Sequence, residues 1–150
     1  MPNKALVLSA FVSLAALAFT QIPACAAEAA KISLPDALSW APAQGVPPGA
    51  QIAVLYGDPS KSGAFAVRFK FPAGYEIPTH SHPTDEFLTV ISGKARMAFG
   101  EKADAASAQP FPAGAFMSLP AGAWHHLWID ADTTIELVST GPFAIKLQGK

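Results

Sequence analysis

The sequence contains little charge. Only 14% of its 150 residues are Asp, Glu, Lys or Arg, and 10 basic residues against 11 acidic ones give a formal net charge of −1. A protein that binds nucleic acid needs a cluster of basic side chains to contact the phosphates. The low and balanced charge therefore argues against a nucleic-acid partner.

The sequence also contains a single cysteine and little sign of helices. No segment after residue 30 shows a sustained helical period. The single cysteine, Cys25, excludes an intramolecular disulfide and any zinc site built from several thiolates. The 14 prolines and 11 glycines argue against a helical bundle, because both residues interrupt helices. The length allows one domain and leaves little room for a second.

The first 26 residues have the pattern of a secretory signal peptide. Met1–Lys4 supplies a positive start, Ala5–Phe19 is an apolar run interrupted by two serines, and residues 24–26 (Ala-Cys-Ala) fit an A-x-A cleavage site. The run is shorter than the ~20 apolar residues that span a bilayer. We therefore expect cleavage before Ala27 and a periplasmic or secreted protein without membrane contact. An uncleaved anchor and a lipoprotein acylated at Cys25 are the less favoured alternatives.

The rest of the chain predicts an all-β domain. Residues 27–50 contain four prolines and little periodicity, which indicates an N-terminal arm with an edge strand near Trp40. In the predicted domain, residues 51–150, short apolar or alternating segments are separated by turn signals, which favours an antiparallel sandwich or barrel. The predicted strands are 51–56, 64–71, 87–91, 95–99, 115–119, 124–129, 133–140 and 143–147, with a hairpin turn at Gly93-Lys94.

Two segments contain candidate metal-ligating residues, and the first includes a pair of histidines. Residues two apart on a strand point to the same side, about 6.6 Å apart along the chain, so His80 and His82 can aim their imidazoles at one point. The chain then turns, and Glu86 at the start of the next strand can bring a carboxylate to the same point.

The second segment supplies a third imidazole. A turn at Pro120-Ala121-Gly122 places His125 at the start of a strand. Three neutral imidazole nitrogens and one carboxylate suit a divalent transition metal and leave positions for water or a substrate. The residue types do not distinguish Fe, Mn, Ni, Cu and Zn.

The two segments resemble the two motifs of the cupin superfamily. The first motif, glycine, five residues, His-x-His, three residues, Glu, six residues and glycine, is matched by Gly74, His80, His82, Glu86 and Gly93. The second, glycine, five residues, Pro-x-Gly, two residues and His, is matched by Gly114, Pro120, Gly122 and His125. The Asn that ends the second motif is replaced by Ile129, and it is not a metal ligand in the family.

The resemblance covers roughly residues 51–147 and implies both a fold and a site. It implies a single-domain jelly-roll barrel of antiparallel strands, similar to small exported bacterial cupins of unassigned function. It also implies that His80, His82, Glu86 and His125 are the metal ligands. Because cupins often pair through sheet edges, the resemblance further implies a homodimer.

The remaining polar residues near the motifs are weaker candidates. His126 has the opposite strand parity to His125, so we expect it to pack away from the site. Three residues are candidates for the pocket or for contacts behind the ligands: Tyr75, Glu76 and Thr79.

Two functions are compatible with this sequence. The first is a metal-dependent enzyme, either an oxygenase or a lyase or isomerase, that acts on a small organic molecule. The second is a non-catalytic periplasmic module that binds a metal or a small ligand. Acid–base catalysis needs an acid or base beside the metal, and the sequence shows no clear one, whereas oxygenation can proceed without it. Both hypotheses therefore stay open.

Overall fold

The computed structural model describes residues 30–149, and antiparallel strands dominate them. The predicted signal peptide and its cleavage site lie outside the described residues. From Ile32 onward the chain forms a single unit. A short 3₁₀ turn at Pro35–Ala37 precedes nine strands: β1 (Ala41–Pro42), β2 (Gln51–Tyr56), β3 (Gly63–Phe71), β4 (Glu76–Ser81), β5 (Glu86–Phe99), β6 (Gln109–Pro112), β7 (Phe116–Leu119), β8 (His125–Gly141) and β9 (Lys146–Leu147).

Strand β3 confirms the alternation expected from its sequence. Its alternate side chains Phe65, Val67, Phe69 and Phe71 are buried, and each large apolar side chain taken out of water contributes roughly 1.5–3 kcal/mol. Arg68 faces outward, and its Nε donates to a carboxylate oxygen of a β8 residue at 2.9 Å. The strand therefore has one face in the core and one in solvent.

Two long strands, β5 and β8, give the sheet its curl. Along one edge, β8 pairs with β4 through its first residues and with β3 through its last ones, and along the other edge it pairs with β5. Strand β5 pairs in turn with β7 through its first residues and with β6 further along. Each long strand thus belongs to two parts of the sheet, and the result is an all-β antiparallel barrel consistent with a jelly roll.

The predicted hairpin at Gly93-Lys94 is wrong, because residues 86–99 form one continuous strand. The pairing of β5 with β8 shifts register near Gly93, where φ is +90°. A Cβ at this position would collide with the carbonyl oxygen of Asp132 and with Thr133 on β8. Glycine here permits a bulge where two strands lie very close together. The hairpin was predicted because glycine is also common in turns.

Smaller differences concern the ends of the barrel. Strand β6 was not predicted, because Pro110 and Pro112 obscure it, and the predicted strand at 143–147 is confined to β9. The expected edge strand near Trp40 is β1, which pairs with β2. The arm contacts the barrel, since the Tyr75 hydroxyl donates to the carbonyl of Pro47 at 2.5 Å. No helix among residues 30–149 is long and apolar enough to cross a membrane.

Candidate metal centre

A bulge between β4 and β8 sets the direction of the site histidines. Ile77 pairs with Leu127 and His80 pairs with His125, so two residues of β4 lie opposite one residue of β8, His126. Side chains alternate along a regular strand, and one extra residue reverses that alternation. Ile77 and His80 both line the interior cavity, although they are three residues apart, because the bulge lies between them.

The three inward histidines are held by main-chain carbonyls. Each donates from Nδ1: His80 to Pro78 at 2.8 Å, His82 to Ala144 at 2.8 Å and His125 to Ala123 at 2.9 Å. A carbonyl oxygen only accepts, so each Nδ1 carries the hydrogen and each Nε2 keeps a free lone pair. This is the arrangement that orients imidazoles for binding a metal through Nε2.

The imidazoles converge, and a carboxyl group lies beside them. One nitrogen from each of His80, His82 and His125 lies within 4.8 Å of the other two. The carboxyl oxygens of Glu86 lie 3.5 Å from Nε2 of His82 and 3.8 Å from Nε2 of His125. Metal–ligand bonds of about 2.0–2.2 Å place neighbouring ligand atoms about 3.0–3.5 Å apart. The three imidazoles are therefore compatible with a single metal ion, and the carboxyl group of Glu86 lies next to them.

Burial makes these four groups neutral at pH 7 when no cation is bound. It raises the pKa of Glu86 to about 8 and lowers the pKa of His82 to about 4. Burial also lowers the pKa of His125, and burial together with the other imidazoles lowers the pKa of His80 to about 2. The imidazoles are thus in the form that binds metals, and the carboxyl group would lose a proton on binding one.

The turn of the second motif is attached directly to the first motif. The Gly122 N–H donates to the carbonyl of His82 at 2.8 Å, and the Ala123 N–H donates to Pro120 at 3.0 Å. The N–H of Ala121 donates to the carboxylate of Asp85 at 2.8 Å. Gly122 has φ of +78°, a conformation that favours glycine. These bonds place the start of β8 beside the His-x-His segment.

Other motif positions have structural roles. The N–H of Gly74 donates to the carbonyl of Ile129 at 2.8 Å, and the N–H of Gly114 donates to that of Val90 at 2.8 Å. Ile129, which replaces the motif's Asn, is buried in the core. The replacement therefore adds apolar packing away from the histidines.

The site forms part of the wall of a small cavity that is otherwise apolar. The cavity has about 50 Å³ of space for the centres of water molecules. Its walls come from β3, β4, β5 and β8 and include Phe69, Ile77, Leu88, Met97 and Leu127. The only titratable groups among its lining residues are the four at the metal site.

Sequence reasoning missed three residues that line this cavity and come from segments outside the two motifs. Val46 from the arm and Phe143 and Ile145 from the C-terminal segment line it. The ring of Phe143 stacks on the imidazole of His82, with centroids 4.7 Å apart and an angle of 14°. Nothing in the sequence links these segments to the site, because the contacts join residues distant along the chain.

Three predicted pocket residues are not brought to the cavity. Tyr75 is buried against Phe71, with ring centroids 5.2 Å apart. Glu76 and Thr79 lie on the outer side of β4, where both contact His126. The bulge is the physical reason, since Glu76 shares parity with His80 only in a regular strand. Pro78 within the strand was the available signal, because proline inside a sheet is typical of a bulge.

Solved structures with the same fold were found in several bacteria, all at low sequence identity. KdgF from Halomonas sp. is 18% identical, with a TM-score of 0.58 over 75% of this chain and 94% of that chain. An RmlC-like cupin protein from Desulfovibrio desulfuricans is 21% identical, with a TM-score of 0.50 over 61% and 82%. Salicylate 1,2-dioxygenase from Pseudaminobacter salicylatoxidans is 15% identical, with a TM-score of 0.57 over 70% of this chain and 32% of that chain.

These similarities show the fold alone, and the family follows from the sequence. No curated protein sequence matches the chain. The cupin domain family matches residues 67–141, which include the histidines and the carboxyl group of the site. With the antiparallel barrel and the buried histidine cluster, this match shows that the chain belongs to the cupin domain family.

Proposed function

We propose that this protein is a metal-dependent oxygenase that acts on a small, largely apolar organic molecule. The observation that carries the proposal is the set of three buried imidazoles, each anchored through Nδ1, in the wall of an otherwise apolar cavity. We assign His80, His82, His125 and Glu86 as the ligands of one divalent transition metal. A redox-active metal bound there would supply the means of activating dioxygen.

The cavity walls favour this reaction over the other enzymatic alternatives. A lyase or isomerase needs a group beside the metal that moves a proton, and the lining residues offer none apart from the ligands. A sugar or a phosphate would bury hydroxyl or phosphate groups without partners, at a cost of about 1–3 kcal/mol for each unpaired group. Apolar walls instead suit a carbon skeleton whose oxygen atoms are held at the metal.

The size of the cavity favours one second candidate, a non-catalytic metal-binding module. One water needs about 10–15 Å³ of such space, so a cavity of about 50 Å³ holds a few waters. A larger molecule would have to displace side chains that line the cavity, such as Phe143 and Ile145. Without such movement, the site would bind a metal ion and little else.

Oxygen consumption separates the two candidates. The protein would be purified anaerobically, analysed for metals, reconstituted with Fe²⁺ and screened against short diketones, diols and phenols. We expect about one metal ion per chain and consumption of oxygen that requires one of these compounds and is lost in His125→Ala. Metal binding without any substrate-dependent oxygen consumption would support the binding module instead. Absence of metal binding would refute both.

We also infer, from the signal-peptide pattern and the family, that the protein is exported and forms a homodimer. Mass spectrometry of protein recovered from a periplasmic fraction should show an N-terminus near Ala27. An intact N-terminus would contradict export by this route. Light scattering of the exported protein should give twice the mass of one chain, and a monomer would contradict the dimer.

A further inference from the structure

Three side chains on the outer side of β4 and β8 form a hydrogen-bonded group, which we name the outer clamp: Glu76, Thr79 and His126. Nε2 of His126 lies 2.6 Å from Oε1 of Glu76, and Nδ1 lies 3.2 Å from Oγ1 of Thr79. The imidazole also stacks on Trp128, with centroids 3.8 Å apart and an angle of 10°. Both ring nitrogens of His126 are therefore occupied, and its plane is held from one side.

The Thr79 hydroxyl is the partner of Nδ1 whichever of the two atoms donates. The Glu76 carboxylate only accepts, so Nε2 of His126 carries a hydrogen and donates it. Nδ1 accepts from the Thr79 hydroxyl when it carries no hydrogen and donates to the hydroxyl oxygen when it does. A side chain of the same shape without a hydroxyl can do neither.

The outer clamp spans the bulge that turns His80 inward. Glu76 precedes the bulge, Thr79 lies within it, and His126 is the single β8 residue opposite it. The backbone pairing of β4 with β8 is interrupted at this point, between Ile77 and His80. Side-chain hydrogen bonds therefore join the two strands where the main-chain ladder does not.

We propose that Glu76, Thr79 and His126 are positioning residues that hold the bulge in the form that directs His80 to the metal. The inference rests on the proposed metal site and goes beyond it. Side chains on the outside of the barrel, which never touch the metal, control its affinity by fixing the direction of a ligand. A strand free to return to regular alternation would turn His80 outward.

The test is binding of Co²⁺, whose visible absorption reports the geometry of its ligands. Thr79→Val keeps the shape of the side chain and removes the hydroxyl. We expect its Co²⁺ affinity to fall roughly tenfold or more, the range typical of lost contacts behind a metal ligand, with an altered absorption spectrum. Thr79→Ser keeps the hydroxyl and should keep both the affinity and the spectrum of the unchanged protein.

A second pair of variants tests the other end of the clamp. Glu76 is half-exposed, so Glu76→Ala should fold, and it should weaken Co²⁺ binding in the same direction. Glu76→Gln keeps an oxygen that accepts from Nε2 and should bind Co²⁺ nearly as the unchanged protein does. Arg68→Ala is the matched control, because it removes an outward-facing ion pair with Glu136 between β3 and β8, away from the bulge between β4 and β8.

The outcomes separate this inference from the proposed function. If the unchanged protein does not bind Co²⁺, the metal site itself is refuted. If it binds Co²⁺ and Thr79→Val and Glu76→Ala bind it equally well, the clamp is refuted and the metal site stands. Equal losses in Thr79→Ser and in Arg68→Ala would also refute the clamp, because a general loss of stability would then explain the effect.

Discussion

His125 and His126 are adjacent in sequence and lie on opposite sides of one strand. His125 anchors Nδ1 to a main-chain carbonyl and leaves Nε2 directed at other buried imidazoles. His126 uses both ring nitrogens in hydrogen bonds to side chains. The difference shows that the partners of the second nitrogen, more than the presence of a histidine, decide whether an imidazole is available to a metal.

The two sides of the barrel also differ in how they treat charge. On the outer side, Arg68 pairs with Glu136 and Arg96 with Asp130, where water screens both pairs. On the inner side, burial shifts the pKa of the carboxyl group and the imidazoles toward their neutral forms. A divalent cation would therefore change the protonation of the inner groups much more than that of the outer ion pairs.

The largest expected effect is the loss of an inner ligand. His82→Ala should weaken metal binding by about a hundredfold or more, because losing a ligand costs at least as much as losing a contact behind one. Metal content by elemental analysis and competition with a chelator measure the change. Unchanged metal content would refute the assignment of the inner side as the metal site.

The next effect is a pH dependence that only the inner side can produce. Glu86 has a pKa of about 8, and that of His82 is about 4, so between pH 6.5 and 8 a metal displaces one proton, from the carboxyl group. Affinity should rise about tenfold per pH unit in this window and level off above pH 8. Chelator competition across the pH range measures it. Glu86→Gln should flatten the profile, and a flat profile in the unchanged protein would contradict the assignment.

A third effect concerns the stability of the metal-free protein. The folded-state pKa of Glu86, about 8, lies above its reference value of 4.5, so its contribution is complete below pH 4.5 and is lost as pH rises to 8. The pKa of His82 is lowered from 6.5, so its opposing contribution is complete above pH 6.5. Between pH 6.5 and 8 the free energy of unfolding should therefore fall by about 2 kcal/mol.

Urea unfolding in the presence of a chelator measures this fall, and Glu86→Gln is the matched variant. It keeps the size of the side chain and cannot ionise, so its stability should stay level across the same window. It should be more stable than the unchanged metal-free protein at pH 8. Parallel curves for the two proteins would contradict the burial of an ionisable Glu86.

The smallest effect belongs to the outer side. Arg68→Ala removes a partly exposed ion pair with Glu136 and should lower the free energy of unfolding by less than about 1 kcal/mol. Metal affinity should not change. Urea unfolding and chelator competition measure both quantities. A change in metal affinity as large as that of His82→Ala would contradict the conclusion that metal binding depends on the inner side and not on the outer ion pairs.

Most of the barrel follows from local patterns. The alternation of apolar and polar residues in β3 and the turn residues that recur between strands predict an all-β chain, because a half-buried strand needs one apolar side. The predictions that failed concern glycine and proline, because each of these residues occurs both in turns and in bulges within strands. Gly93 marks a bulge in a long strand instead of a hairpin, and Pro78 marks a bulge that reverses the parity of Glu76.

The sequence by itself determined the residue types of the site, their spacing and the family, because the two motifs are local. The tertiary structure decided which of these residues meet. Convergence of His80 and His125 depends on a bulge between paired strands. The cavity wall includes Val46 and Phe143, which come from segments far apart in the chain. The shifted pKa of Glu86 has the same origin, since burial is a property of the packed barrel and not of the residue.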